Sequence, residues 1–167
     1  IRPMIIGLVS DTHGYFDPEI HKHFKDCDEV WHLGDIGSQE VLNEIQSYKS
    51  NLAVYGNIDN SSIIHQTQEN HIVTKMGLKF LLTHITGKPL VYNKRVQEIL
   101  KKEKIDIVVC GHSHIVKVVK KREEPKHVYI NPGAAGKQGF HRVRTIMKME
   151  LENKKIRNLN LIELGNR

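Results

Sequence analysis

The sequence predicts a mixed α/β domain in which two packed sheets are flanked by helices. Three observations carry this prediction. Short apolar runs alternate with helical stripes in the N-terminal part, a pair of runs near the middle reads as a hairpin, and the remainder is strands and turns. Met4 to Val9 is a short apolar run bounded by Ser10 and Asp11, which marks a buried strand. Asp17 and Pro18 then signal a helix start, with Ile20, Phe24 and Cys27 on one face. Glu29 to Leu33 is a second strand, stopped by Gly34. Ser38 caps a helix whose buried stripe is Val41, Leu42 and Ile45, and Leu52 to Tyr55 is a third strand ended by Gly56.

Ile72 to Lys75, the Met76-Gly77 turn and Leu78 to Thr83 depart from this rhythm and imply antiparallel pairing in a second sheet. Val96, Ile99 and Leu100 have helical spacing, and Ile107 to Cys110 is a buried strand ended by Gly111. Val116 to Val119 and Val128 to Ile130 follow as strands, then a glycine-rich loop from Gly133 to Gly139 and a terminal hairpin through Asn153. With no repeat, low-complexity tract or linker, the 167 residues read as a single domain, 1–167, able to bury a core without disulfides. Residues 1–3 are given no function.

Cys27 and Cys110 lie in unrelated contexts, so a disulfide framework is not expected and a reducing, cytoplasmic setting fits. No apolar run reaches the roughly 18 residues of a membrane span, and no signal-peptide pattern opens the chain. The formal charge of +6 is spread over helix faces and hairpins, as at Lys101, Lys102, Lys104, Lys120, Lys121 and Arg122, and reads as solvated surface rather than a nucleic-acid patch. Self-association is left open.

The chemistry lies at the strand ends. Asp11 with His13, Asp35, Asn57, His84, and His112 with His114 each follow an apolar run within a residue or two. In open α/β sheets the carboxyl ends of the strands gather at one edge, so these residues would converge. Within Asp11-Thr12-His13 and His112-Ser113-His114 an extended backbone would aim both members of each pair to one side, and Gly34, Gly56 and Gly111 would permit sharp turns beside them. Oxygen and imidazole donors without thiolate suit manganese first, with zinc, iron, nickel or cobalt also compatible. Seven donors exceed one ion's needs and suit two, with Asp35 bridging ions roughly 3.5–4 Å apart. Such a centre is cationic and attracts a phosphoryl group.

The combination of Asp11-Thr12-His13-Gly14, Gly34-Asp35, Gly56-Asn57, Thr83-His84 and Gly111-His112-Ser113-His114 resembles the calcineurin-like metallophosphoesterases. Ile130-Asn131-Pro132-Gly133-Ala134 is similar to the small single-domain phosphodiesterase branch that includes YfcE-like proteins. The resemblance implies a four-layered α/β/β/α sandwich. It implies one metal on Asp11, His13, Asp35 and His114, and a second on Asp35, Asn57, His84 and His112. It also implies hydrolysis of small phosphate esters, diesters above monoesters, by a hydroxide bridging the metals. The alternative is a non-catalytic binding scaffold, because the retromer complex contains a subunit of this fold that serves as a platform.

Two departures from the family pattern stand out. Many relatives carry a histidine after the Gly-Asn pair, where it assists the leaving group, but here that place is Ile58. Asp59 then either supports a neighbouring group by hydrogen bonding or caps the next turn. Ile85-Thr86 replaces the Gly-His that often follows the Thr-His motif. Among the other histidines, His21 and His23 are spaced for surface positions, His32, on the strand leading into Gly34-Asp35, reads as a core residue or a support of the ligands, and His65, His71 and His127 carry no signal. His141 and Arg142 follow the glycine-rich loop and are candidate substrate contacts, together with Asn57.

Overall fold

The computed structural model describes residues 2–167. Ile1 lies outside the described residues. Two five-stranded sheets form the body of the molecule. Strands β1 (Met4–Val9), β2 (Glu29–His32) and β3 (Asn51–Ala53) run parallel in the first sheet, and the long C-terminal hairpin β11 (Val143–Glu152) and β12 (Lys155–Asn166) completes it in the order β12-β11-β1-β2-β3. The second sheet has the order β4-β5-β8-β10-β9. It consists of β4 (Asn70–Lys75), β5 (Leu78–Thr83), β8 (Ile107–Val109), β9 (Lys117–Lys121) and β10 (His127–Asn131), with β5, β8 and β10 parallel.

Alternation along the strands divides the apolar residues between two sides of each sheet. Ile6, Leu8, Trp31, Leu33, Met147 and Met149 of the first sheet meet Phe80, Leu82, Ile107, Val109 and Ile130 of the second, forming the central core. Trp31 packs edge-on to Phe80 at 5.0 Å between ring centroids, a contact worth about 0.5–1.5 kcal/mol beyond its buried area. On the outer face of the first sheet, Val9, Val30 and Ile146 pack against Ile20 and Phe24 from the α1 region (helix Glu19–His23) and Ile45 of α2 (Gln39–Gln46). On the outer face of the second, Leu81, Val108 and Tyr129 pack against Val96 of α4 (Lys94–Lys102). These four layers give the expected α/β/β/α sandwich, with both sheets mixed.

Local signals explain most boundaries. The Ser38 hydroxyl accepts from Val41 N–H to start α2, and Asn93 does the same for Val96 N–H at α4. Asp17 accepts from Glu19 N–H at 2.9 Å and Pro18 begins the turn, the cap and first-turn proline expected of α1. The periodicity missed two elements. Helix α3 (Ser61–Gln66), capped by Asn60, buries only Ile63, and the hairpin of β6 (Gly87–Lys88) and β7 (Val91–Tyr92) has just two residues per strand. Neither contains enough apolar residues to establish a period.

Candidate metal centre

Because β1, β2 and β3 are parallel in one sheet and β5, β8 and β10 in the other, the carboxyl ends of all six strands open onto one edge of the sandwich. The loops there carry all seven candidate ligands. The ligand atoms of Asp11, His13 and His114 lie within 4.8 Å of one another, as do those of Asp35, His84 and His112. Asp35 stands between the groups, with its Oδ2 3.4 Å from His13 Nε2 and 3.3 Å from His84 Nε2. Asn57 Oδ1 is 3.2 Å from His84 Nε2 and 3.0 Å from His112 Nδ1. The two clusters therefore share one carboxylate, and Asn57 completes the second.

The backbone achieves this differently from the extended conformation expected of the ligand pairs. Asp11, His13, Asp35, His112 and His114 all have left-handed backbones, with φ between 45° and 72°. Such conformations cost on the order of 1–3 kcal/mol each for residues with a Cβ and persist only where surrounding contacts impose them. The glycines also act differently from one another. Gly34 is left-handed at φ 102°, as expected of a turn, but Gly56 and Gly111 are needed for close approach. A Cβ on Gly56 would lie 2.1 Å from Asp35 Oδ1, and one on Gly111 would lie 2.1 Å from Ser10 Oγ.

Hydrogen bonds orient the donors. His84 Nδ1 lies 2.7 Å from Leu33 O, an acceptor only, so Nδ1 carries the proton and Nε2 keeps its lone pair facing the centre. His141 Nε2 donates to Gly136 O at 2.8 Å, which leaves its Nδ1 as the acceptor for His114 Nδ1 at 3.3 Å and frees His114 Nε2. Asp11 Oδ2 accepts from the Ser10 hydroxyl at 2.6 Å and from His112 N–H at 3.0 Å. Asp35 Oδ1 accepts from Ile58 N–H at 3.1 Å.

Among the described residues two buried side-chain atoms have no hydrogen-bond partner: Asp11 Oδ1 and His13 Nε2. Both belong to the first cluster. Leaving buried polar atoms unpaired costs about 1–3 kcal/mol each, so their orphaned state fits a cation between them. Electrostatics agree. Burial pushes Asp11 up, but His114, His84 and the Ser10 hydroxyl outweigh it and hold the carboxyl below its usual range. Burial also opposes Asp35, yet His13 and His84 pull it well below the usual range. Asp35 in turn raises His13, and with Asp11 it raises His84 against the effect of burial. The carboxylates thus draw positive charge to this point.

Supporting residues surround the ligands, and of the two roles open to Asp59 the structure shows hydrogen-bonding support. Asp59 accepts from Gly56, Gly37 and Ile36 N–H groups at 2.8–3.2 Å, so it pins the β2 and β3 loops together. Buried His32 accepts from Gly34 N–H at Nδ1, which places its proton on Nε2, 2.9 Å from the Thr12 hydroxyl, and Thr12 donates on to Ile36 O. Burial lowers His32 to about 3 and keeps it neutral. Asn131, at the end of β10, donates to Gly111 O and Ser113 Oγ and so shapes the loop bearing His112 and His114. Its place at a strand end was the available signal. The Arg142 side chain is exposed and makes no hydrogen bond or ion pair among the described residues. His21 bridges Glu44 and Tyr48, and His127 joins Tyr92 to the Pro125 carbonyl, well apart from the centre.

Residues 4–154 match the calcineurin-like phosphoesterase superfamily domain. A protein named as a probable metallophosphoesterase in Methanocaldococcus jannaschii is 25% identical over 160 residues, covering 90% of this chain and 78% of that protein. Among solved structures, Vps29 of Chaetomium thermophilum superposes with a TM-score of 0.75 at 14% identity, over 98% of this chain and 96% of that one. Vps29 of Entamoeba histolytica complexed with zinc does so with a TM-score of 0.71 at 14% identity, over 97% and 99%. The structural likenesses establish the shared fold. The match over residues 4–154 shows that this protein belongs to the calcineurin-like phosphoesterase superfamily, a family that implies divalent metal ions.

Proposed function

We propose that the chain hydrolyses phosphate esters, diesters in preference to monoesters, at a centre that holds two divalent cations. Asp11, His13, Asp35 and His114 would hold one, and Asp35, Asn57, His84 and His112 the other. The observation that carries this reading is the pair of orphaned buried atoms, Asp11 Oδ1 and His13 Nε2, in a cluster that shares the Asp35 carboxylate with a second cluster. When bound, two such cations supply the charge that activates a water nucleophile and neutralises phosphoryl oxygens. Manganese is the proposed metal. The zinc complex of one Vps29 structure supports a divalent transition metal in this fold, without deciding among them.

The chain's own residues position and exclude. Leu33 O and His141 fix the tautomers of His84 and His114, and Ile58 N–H holds one Asp35 oxygen so that the other faces both clusters. Asn57 is exposed and is the candidate to touch a phosphoryl oxygen, with Arg142 on the exposed segment after the glycine-rich loop. His141 has both ring nitrogens engaged, so we read it as a positioning residue rather than a substrate contact. Burial lowers its pKa, which keeps Nδ1 able to accept. His141→Ala should weaken metal binding and turnover together by roughly 10–100-fold, the range for a partner of a metal-bound histidine. Titration of metal against each variant with a chelating indicator would measure it, and unchanged affinity would remove the role.

No acid stands at position 58, and Asp59 is committed to three backbone N–H groups. Leaving-group protonation by these residues is therefore unavailable. Matched aryl and alkyl phosphodiesters should differ strongly in rate, aryl esters being cleaved at least about 100-fold faster, the scale of a general-acid contribution. Elemental analysis of protein loaded with manganese, followed by this ester panel and the corresponding monoesters, tests the whole reading. Protein that stays empty while folded would defeat it, and equal aryl and alkyl rates would mean that another residue supplies the proton.

A further inference from the structure

A second feature lies at the far end of the second sheet. Strands β5, β8 and β10 begin where the metal centre is not, and a six-residue strand such as β5 spans about 20 Å. At these starts a groove of about 890 Å³ is rimmed by Lys120, Lys121, Arg122, Lys126, Lys154 and Lys155. They come from the end of β9, the β9–β10 connection, the turn between β11 and β12 and the first residue of β12. Among the described residues none of the six is ion-paired with a carboxylate. The one acid in the lining, Asp106, accepts from Lys79 N–H at 2.8 Å, and Glu123 and Glu124 of the same connection stay outside it. Like charges gathered this way repel one another, and an anionic partner relieves the repulsion.

The floor narrows the partner's chemistry. Leu78, Ile107, Val128 and Ile156 give the groove an apolar base, which a phosphate backbone would not use. No Phe, Tyr or Trp lines it, so bases would find no stacking platform. β9 is an edge strand of the second sheet and leaves one side of its backbone unpaired within the fold. Val118 on β9 is 49% exposed. We infer that this groove is a docking site for an extended acidic segment of a partner protein, with carboxylates on the lysine rim, apolar side chains on the floor and main-chain pairing to the free edge of β9. A membrane surface fits less well, because the feature is concave.

The test uses the full chain and a fluorescent decapeptide of alternating Glu and Val, followed by anisotropy at low and moderate salt. Binding should weaken with salt, as screening requires. The triple variant Lys120→Glu, Lys126→Glu, Lys155→Glu should bind at least about tenfold more weakly, while its melting temperature stays close to wild type and its aryl-ester turnover is unchanged. An alternating Glu and Ser decapeptide should also bind several-fold more weakly if the apolar floor contributes. Tighter binding of oligo-dT or polyphosphate than of the Glu-Val peptide would overturn the assignment in favour of a phosphate polyanion. No binding of any probe by wild-type protein, or equal binding by the triple variant, would overturn it outright.

Discussion

Asp35→Asn should weaken both metal positions. The substitution keeps the shape of the side chain and an oxygen for Ile58 N–H, but removes the charge shared by His13 and His84, whose Nε2 atoms lie 3.4 Å and 3.3 Å from Oδ2. Bound metal is expected to fall from close to two ions per chain to below one, because the same carboxylate serves both clusters. Turnover should fall by roughly 10²–10³-fold or more, the scale for loss of one preorganised electrostatic group. Elemental analysis and steady-state rates on one preparation decide the matter. If the variant keeps two ions and full activity, Asp35 does not bridge. A different result would replace the enzyme with a binding scaffold: wild-type protein loaded with both metals, inert toward every ester and indifferent to inorganic phosphate.

Arg144→Ala should be among the most destabilising single changes. Arg144 pairs with Asp17 at 2.7 Å, both side chains being about 9% exposed, and it also donates to Asn166 O and Leu164 O at the end of β12. Removing it strands a buried carboxylate, at a cost of about 3–5 kcal/mol. Burial opposes the charged form of Asp17, but Arg144 and Glu19 N–H hold its pKa below the ordinary value. The pair's contribution is therefore complete above the unfolded carboxylate pKa of about 3.9 and is lost as pH falls through the lower, folded value. Denaturant melts at pH 7 and pH 3 should show the gap between wild type and Asp17→Asn shrinking at acid pH. A gap that stays constant or widens would show that the ion pair is not its source.

The parallel strands were legible because each is a short apolar run closed by a polar residue or glycine, as with β1, whose bounds at Met4 and Val9 coincide with the apolar pattern. The placement of the seven metal-ligand candidates at strand ends was legible for the same reason. Helix α3 and the β6–β7 hairpin were not, since so few of their residues are buried that no period forms. The role of Asn131 was hidden, because it acts by hydrogen bonding to a loop at least 18 residues away, and the choice between the two roles open to Asp59 depended on its distant partners Ile36 and Gly37.

The sequence by itself determined the alternation of strands and helices, the second sheet, and the order of metal-ligand candidates along the chain, all of which follow from local pattern. Only the tertiary structure decided that the paired ligands adopt left-handed backbones and that Asp59 and His141 support the centre. It also placed the lysines of β9 and of the β11–β12 turn around one groove, where the sequence suggested dispersed surface charge. The physical reason is that hydrophobic periodicity is written within a few neighbouring residues, whereas charge convergence and hydrogen-bond partnership depend on which distant strands pair.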